Sequence, residues 1–159
     1  MKSSSIEAIE TKFAPKPVGP YNQAILVENY LYCSGQIALD PSTGVMVGNG
    51  NIEEETRQVL KNLMAVVEAA GGKSSAVIRT TIYLTDLNDF AKVNEIYAET
   101  FNKTVSPARA CVEVSKLPKG GKIEIDCIAW LENNEKEEIS KDDFDFASKI
   151  DFLNKQEEN

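Results

Sequence analysis

Hydrophobic and polar positions change period several times along this 159-residue chain, and each change predicts an element. Ala24-Ile25-Leu26-Val27-Glu28 and Leu31-Tyr32-Cys33-Ser34 read as two short strands flanking a tight turn at Asn29-Tyr30. Asp40-Pro41-Ser42-Thr43-Gly44, with Gly48, Asn49 and Gly50 close behind, is dense in turn residues and predicts a surface loop. Asn51 followed by Glu54 has the form of a capping box. Val59, Leu60, Leu63, Val66, Val67 and Ala70 then recur at helical spacing until Gly71-Gly72. Residues 77–84 are β-branched and aromatic and predict a strand with Ile78, Thr80, Ile82 and Leu84 on one side. Phe90, Val93, Tyr97 and Phe101 mark a second helix, capped by Asp86 or Asn88.

Two further strands follow, Pro107-Ala108-Arg109-Ala110-Cys111-Val112-Glu113-Val114 and the run beginning Ile123-Glu124-Ile125. Pro118 and Gly120-Gly121 punctuate the connection, so an antiparallel pair is expected, with Arg109 and Glu124 on neighbouring strands. The order is β-β-α-β-α-β-β, an α+β fold with two helices on one face of a mixed sheet. Ile123, Ile125, Cys127, Ala129 and Leu131 share one side of the last strand. Ile128 and Trp130 lie on the other with Glu124 and Asp126. Both sides are partly apolar, which predicts that a second subunit buries the face without helices.

Charge divides the chain into a body, residues 1–132, and a tail, residues 133–159. The formal net charge is −8, and the nine acids and four lysines of the tail carry −5 of it. Ile139, Phe146, Ile150 and Leu153 in the tail are spaced as a helical stripe, so it reads either as a solvated appendage or as a helix that docks. The mildly acidic body lacks the basic footprint that phosphate neutralisation needs, which makes nucleic acid an unfavoured partner. No window approaches the ~20 apolar residues of a membrane span. The N-terminal stretch lacks the apolar core of a signal peptide, and its acids are unlike a transit peptide. The expected location is the cytosol, with an organelle left open.

Candidate chemistry is narrowed by one absence: the chain has no histidine, so Ser-His-Asp and Cys-His catalysis are excluded. Cys33, Cys111 and Cys127 have no metal-ligand spacing. Arg109 offers a rigid fork for a carboxylate or phosphate, and Glu124 can take a proton from water. A structural salt bridge between Arg109 and Glu113 or Glu124 is the competing reading. Cys111, two residues beyond Arg109, faces the same way on a strand. Its thiol is then either activated by the cation or buried and inert.

Four motifs in order carry a family resemblance: Gly19-Pro20-Tyr21-Asn22-Gln23-Ala24, Ser34-Gly35-Gln36-Ile37, Asp86-Leu87-Asn88-Asp89-Phe90 with Val93-Asn94, and Pro107-Ala108-Arg109 with Cys111 followed by Ile123-Glu124-Ile125. From about residue 6 to residue 131 the chain resembles the Rid family of imine deaminases, also called YjgF or RidA and, in some members, L-PSP endoribonuclease. The resemblance implies a chorismate-mutase-like fold, a homotrimer and active sites in clefts between subunits, with no cofactor and no metal. It further implies that Arg109 binds the substrate carboxylate and Glu124 activates water. Tyr21, Ser34, Gly35, Asn94 and Cys111 would line the cleft, with Phe90 mainly structural.

The implied reaction is hydrolysis of enamine and imine intermediates, 2-aminoacrylate/2-iminopropanoate and 2-iminobutanoate, to 2-oxo acids and ammonia. Two alternatives stand beside it: cleavage of single-stranded RNA, and a non-catalytic, chaperone-like trimer that binds small carboxylates. The short connection at residues 102–106 and the acidic tail depart from the family pattern.

Overall fold

The computed structural model describes residues 6–101 and 105–132, and the tail lies outside the described residues. Six strands form one sheet: β1 (Ile6–Ile9), β2 (Ala24–Val27), β3 (Tyr30–Gln36), β4 (Val77–Leu84), β5 (Ala108–Glu113) and β6 (Ile123–Trp130). Their spatial order is β1-β2-β3-β6-β4-β5, with every pair antiparallel except β4 and β5. Helices α1 (Ile52–Ala69) and α2 (Phe90–Phe101) pack against each other, and α1 packs on β3 and β6. This is the expected α+β arrangement of one sheet and two helices. Among the described residues no helix is long and apolar enough to cross a membrane.

The core fills the space between the helices and one sheet face. Val59, Leu63, Val66 and Val67 of α1 meet Leu31, Ile82, Leu84, Ile123 and Ile125 of the sheet, all fully buried. Each such side chain stabilises the fold by about 1.5–3 kcal/mol. The opposite face has no such cover. Tyr30, Tyr32, Val112 and Trp130, spread across three strands, remain between 41% and 49% exposed there.

Four expectations need correction. Strands β5 and β6 do not pair, because β4 lies between them: it is parallel to β5 through the α2 crossover and antiparallel to β6. A helix between two strands returns the chain in the same direction, and that outweighs the turn-like residues before β6. An extra strand, β1, pairs with β2. The hairpin turn is Glu28-Asn29 rather than Asn29-Tyr30, since Val27 pairs with Tyr30 and Glu28 takes the left-handed conformation at φ 53°. A register shift between Val77 and Arg79 removes Ile78 from the buried row and leaves it exposed.

Capping follows the predicted residues only in part. The Asn51 side chain accepts from the backbone N–H groups of Glu53 and Glu54, but its own N–H donates to the Gly48 carbonyl. The capping box is therefore half formed. Asp86 caps the short 3₁₀ turn Leu87–Asp89 that runs into α2, accepting from Asn88 N–H at 2.9 Å.

Glu55, one residue beyond the expected partner, has the larger role. It is only 1% exposed, and its two oxygens accept from Gly50 N–H at 3.1 Å and Lys122 N–H at 2.8 Å. One carboxyl thus joins the start of α1 to the start of β6. Glu55→Ala would strand both donors, each at a cost of ~1–3 kcal/mol. We expect a loss of about 3 kcal/mol in urea unfolding, and a loss below about 0.5 kcal/mol would contradict this role.

Candidate functional site

Glu124 lies on the uncovered sheet face, opposite Tyr83 across the β4–β6 ladder. It lines a cavity of about 360 Å³ together with Tyr21, Ser34 and Gly35, beneath an apolar wall that includes Val18, Ile37, Leu39 and Pro118. Burial first, then the neighbouring Asp126 carboxylate, pushes the Glu124 carboxyl above its ordinary value. Asp126 in turn accepts a hydrogen bond from the Tyr83 hydroxyl at 3.0 Å. A carboxyl held this way keeps its proton to a higher pH and, once ionised, is a stronger base than a free glutamate.

The backbone under Glu124 is built to receive it. Pairing of β3 with β6 shifts register between Cys33 and Gln36, placing Ser34 and Gly35 in a bulge. A Cβ on Gly35 would stand 2.8 Å from Cδ and 3.0 Å from Cγ of Glu124. Only glycine leaves room for that side chain. The Ser34 hydroxyl donates to the Asn22 carbonyl at 2.7 Å, and Ser34 N–H donates to the Gln23 carbonyl at 3.0 Å. Ser34 therefore fixes the wall, and only its lone pairs face a ligand.

Tyr21 is 46% exposed, which rules out a core anchor. Its hydroxyl oxygen accepts from Val18 N–H at 3.2 Å, leaving the hydroxyl proton free to meet a ligand. Gln23 steadies this segment from below. Its amide accepts from Thr11 N–H at 2.7 Å and donates to the carbonyls of Ala14 and Pro15 at 3.2 and 2.8 Å.

Arg109 lies elsewhere. On the edge strand β5 it pairs with Thr80, whose side chain is buried toward the helices, so Arg109 and Glu124 project from opposite sheet faces. The expectation that they share one neighbourhood within a chain is thus overturned. The Arg109 guanidinium carbon lies 4.8 Å from the Tyr97 ring centroid and 5.6 Å from that of Phe90, an aromatic cradle built by α2. Together with Asn94 it lines a second cavity, of about 480 Å³. Among the described residues the guanidinium has no ion pair: the salt bridge there joins Arg57 to Glu99, and Glu113 instead accepts from Leu87 N–H.

Cys111 is half-buried on the Arg109 side, and burial pushes its thiol up despite the cation. Cys33 and Cys127 face each other across β3 and β6, buried as expected of core residues. Sequence reasoning missed Asp126, which carried a signal in its position two residues beyond Glu124, on the same strand face.

These observations define a class: an α+β protein with a carboxyl cleft on one sheet face and, on the edge strand, an arginine without an ion pair among the described residues. The family model described as Endoribonuclease L-PSP matches residues 11–131, and the chain belongs to this family, the Rid/YjgF family. The human 2-iminobutanoate/2-iminopropanoate deaminase is 47% identical over 129 residues, 81% of this chain and 93% of that protein. A Yersinia pestis Rid-family protein, YyfA, aligns with a TM-score of 0.77 at 50% identity, covering 80% of this chain and all of that one. E. coli TdcF, solved with bound serine, aligns with a TM-score of 0.75 at 40% identity, covering 78% of this chain and 98% of that one.

Gly35→Ala tests the cradle. The added methyl should drive Glu124 off β3 into solvent, costing about 1–3 kcal/mol of stability and letting its carboxyl titrate near the ordinary range. Side-chain carboxyl NMR would read this, and an unmoved titration would contradict the cradle.

Proposed function

We propose that the protein hydrolyses 2-imino acids, and the enamines in equilibrium with them, to 2-oxo acids and ammonia, at sites assembled between subunits of a homotrimer. The observation that carries this reading is the split site. Glu124 occupies a cleft on the uncovered face, while Arg109, without an ion pair among the described residues, stands at the sheet edge, where a neighbouring copy can receive it. An apolar face left open by the helices supports association. Relatives named as deaminases and the serine-bound TdcF support a small amino-acid-like substrate.

In this reading Arg109 of one subunit grips the substrate carboxylate with its fork. Glu124 of the next takes a proton from water as the oxygen attacks the C=N carbon, then returns it to nitrogen. Collapse of the carbinolamine expels ammonia and leaves the 2-oxo acid. One base used in both directions is worth 10²–10⁴-fold, which is ample for substrates that already react with water. RNA cleavage, which the family's description suggests, fits poorly with a net charge of −8 and a chain without histidine.

The test uses 2-iminobutanoate generated in situ by a threonine dehydratase, following the appearance of 2-oxobutanoate. Arg109→Ala and Glu124→Gln should each lower kcat/KM by about 10²-fold, roughly 2.7 kcal/mol of transition-state stabilisation. Mixing the two variants under conditions that exchange subunits should restore about a quarter of wild-type activity, because that share of interfaces then joins an intact arginine to an intact glutamate. No restoration would place both residues in one subunit and overturn the split site.

The acid limb of the rate profile follows from Glu124. With its carboxyl raised, the active ionised form is lost at a higher pH than an ordinary glutamate would show. Asp126→Asn removes one cause of the rise, so the limb should move to lower pH. A limb that stays put, or moves up, would contradict the coupling.

A further inference from the structure

Two carboxyls stand side by side on the uncovered face, and their surroundings treat them differently. Glu124 and Asp126 are two residues apart on β6, so both project from the same side of the sheet. Glu124 lines the cavity of about 360 Å³, and Asp126 does not. Among the described residues Glu124 accepts no hydrogen bond, and no buried side-chain oxygen there is left unpaired, so its carboxyl oxygens are open to the cavity. Asp126 has one donor, the Tyr83 hydroxyl at 3.0 Å.

Strand register makes that bond a diagonal one. Tyr83 is the partner of Glu124 across the β4–β6 ladder, and Thr81 is the partner of Asp126, so the Tyr83 side chain starts opposite Glu124 and its hydroxyl reaches Asp126. Burial first, then the bond to Asp126, pushes the Tyr83 hydroxyl above its ordinary value, and it stays a donor over the whole range in which carboxyls titrate. A donor favours the ionised form of the carboxyl it serves, and the first of two neighbouring carboxyls to ionise makes the second hold its proton more tightly. The other charged or titratable side chains around the pair are Arg79 of β4, Tyr32 of β3, Lys122 at the foot of β6, and Lys16 and Tyr21 on the cavity wall. Among the described residues none of these three cations pairs with either carboxylate, since the salt bridge there joins Arg57 to Glu99. Tyr83 is the hydrogen-bond donor that tells the two carboxyls apart.

We propose that Tyr83 is a positioning residue that acts through Asp126: its hydroxyl holds Asp126 as the ionised, fixed member of the pair, which leaves Glu124 as the carboxyl that takes the proton from water and returns it to nitrogen. The inference rests on the deaminase reading and assigns the proton traffic within that same site. The proton passes from water to Glu124 and from Glu124 to the nitrogen that leaves as ammonia, while Asp126 keeps its charge throughout. Without the Tyr83 hydroxyl the proton spreads over both carboxyls, and a proton resting on Asp126 lies outside the cavity that holds the substrate.

Tyr83→Phe keeps the ring and removes the donor. In side-chain carboxyl NMR of the wild type, Asp126 should ionise first and Glu124 in a separate, later step; in Tyr83→Phe the steps should overlap, each carboxyl reporting both. The acid limb of kcat/KM for 2-iminobutanoate should move to lower pH, because Glu124 is then ionised while Asp126 holds the proton. At the pH where wild type keeps about a tenth of its maximum, Tyr83→Phe should keep about twofold more of its own. Asp126→Asn removes the group through which Tyr83 acts, so adding Tyr83→Phe to it should leave the limb where Asp126→Asn alone puts it. A merely structural tyrosine would lower the rate at every pH and leave the limb in place. That result in a correctly assembled variant, separate ionisation steps that persist in Tyr83→Phe, or a further shift in the double variant would overturn the role of Tyr83 while leaving the deaminase reading intact. Failure of wild type to accelerate 2-iminobutanoate hydrolysis at any pH would remove that reading, and the assignment of the proton with it, whatever the titration shows.

Discussion

Two helices cover one face of the six-stranded sheet, and everything else about the molecule is arranged around the face they leave open. The covered side is an ordinary core, with aliphatic residues of α1 interleaved with those of β3, β4 and β6. The other side carries Tyr30, Tyr32, Val112 and Trp130 half in solvent, and among them Glu124, Asp126 and Tyr83. Apolar surface of that extent on a single sheet face is costly to leave in water, so the proposed subunit contact and the proposed catalytic carboxyl fall on one surface. Shielding is what raises Glu124 above its ordinary value, and the sign for stability is unfavourable. A carboxyl that holds its proton more tightly when folded costs the native state as pH rises through its raised value.

The cleft is held by bonds that are individually modest and spatially concentrated. Gln23 steadies the segment leading to Tyr21, Ser34 ties that segment to the β3 bulge, and Glu55 ties the start of β6 to α1. The first two hold walls of the cavity and the third anchors the strand that carries Glu124, so that Glu124 rests on a backbone with few ways to move. Gly35 completes the arrangement by what it lacks. Sites placed on strands and supported by buried hydrogen bonds are more tightly fixed than sites on loops, and rigidity of this kind lets one general base be useful.

Local periodicity made most elements legible. The stripes of α1 and α2, the alternation of β6 and the Asn51 cap all stand where the pattern of residues puts them. Neighbour relations were another matter. Alternation shows that a segment is a strand without showing which strand lies beside it, and the turn-rich connection before β6 favours pairing it with β5. The helix between β4 and β5, visible in the same sequence, implied a parallel crossover. β1 is too short and too charged to announce itself, with Glu7 in a four-residue strand. The site residues were legible as motifs, but their division between two sheet faces follows from strand order, which periodicity does not carry.

Separating arginine from glutamate has a chemical consequence beyond assembly. Had Arg109 stood beside Glu124 in the same chain, its charge would have stabilised the carboxylate and drawn the titration down, weakening the base before substrate arrived. In the proposed trimer the two meet only across a cleft that also admits an anionic substrate. The substrate carboxylate, gripped by Arg109, offsets the guanidinium charge as seen from Glu124. Burial and Asp126 can then keep the base strong while it acts. The aromatic cradle of Tyr97 and Phe90 supports the same end, since rings hold a guanidinium in place without neutralising it. An ion pair with Glu113 would have fixed Arg109 equally well but left it with less charge to offer a ligand, and Glu113 is instead engaged by the backbone of Leu87.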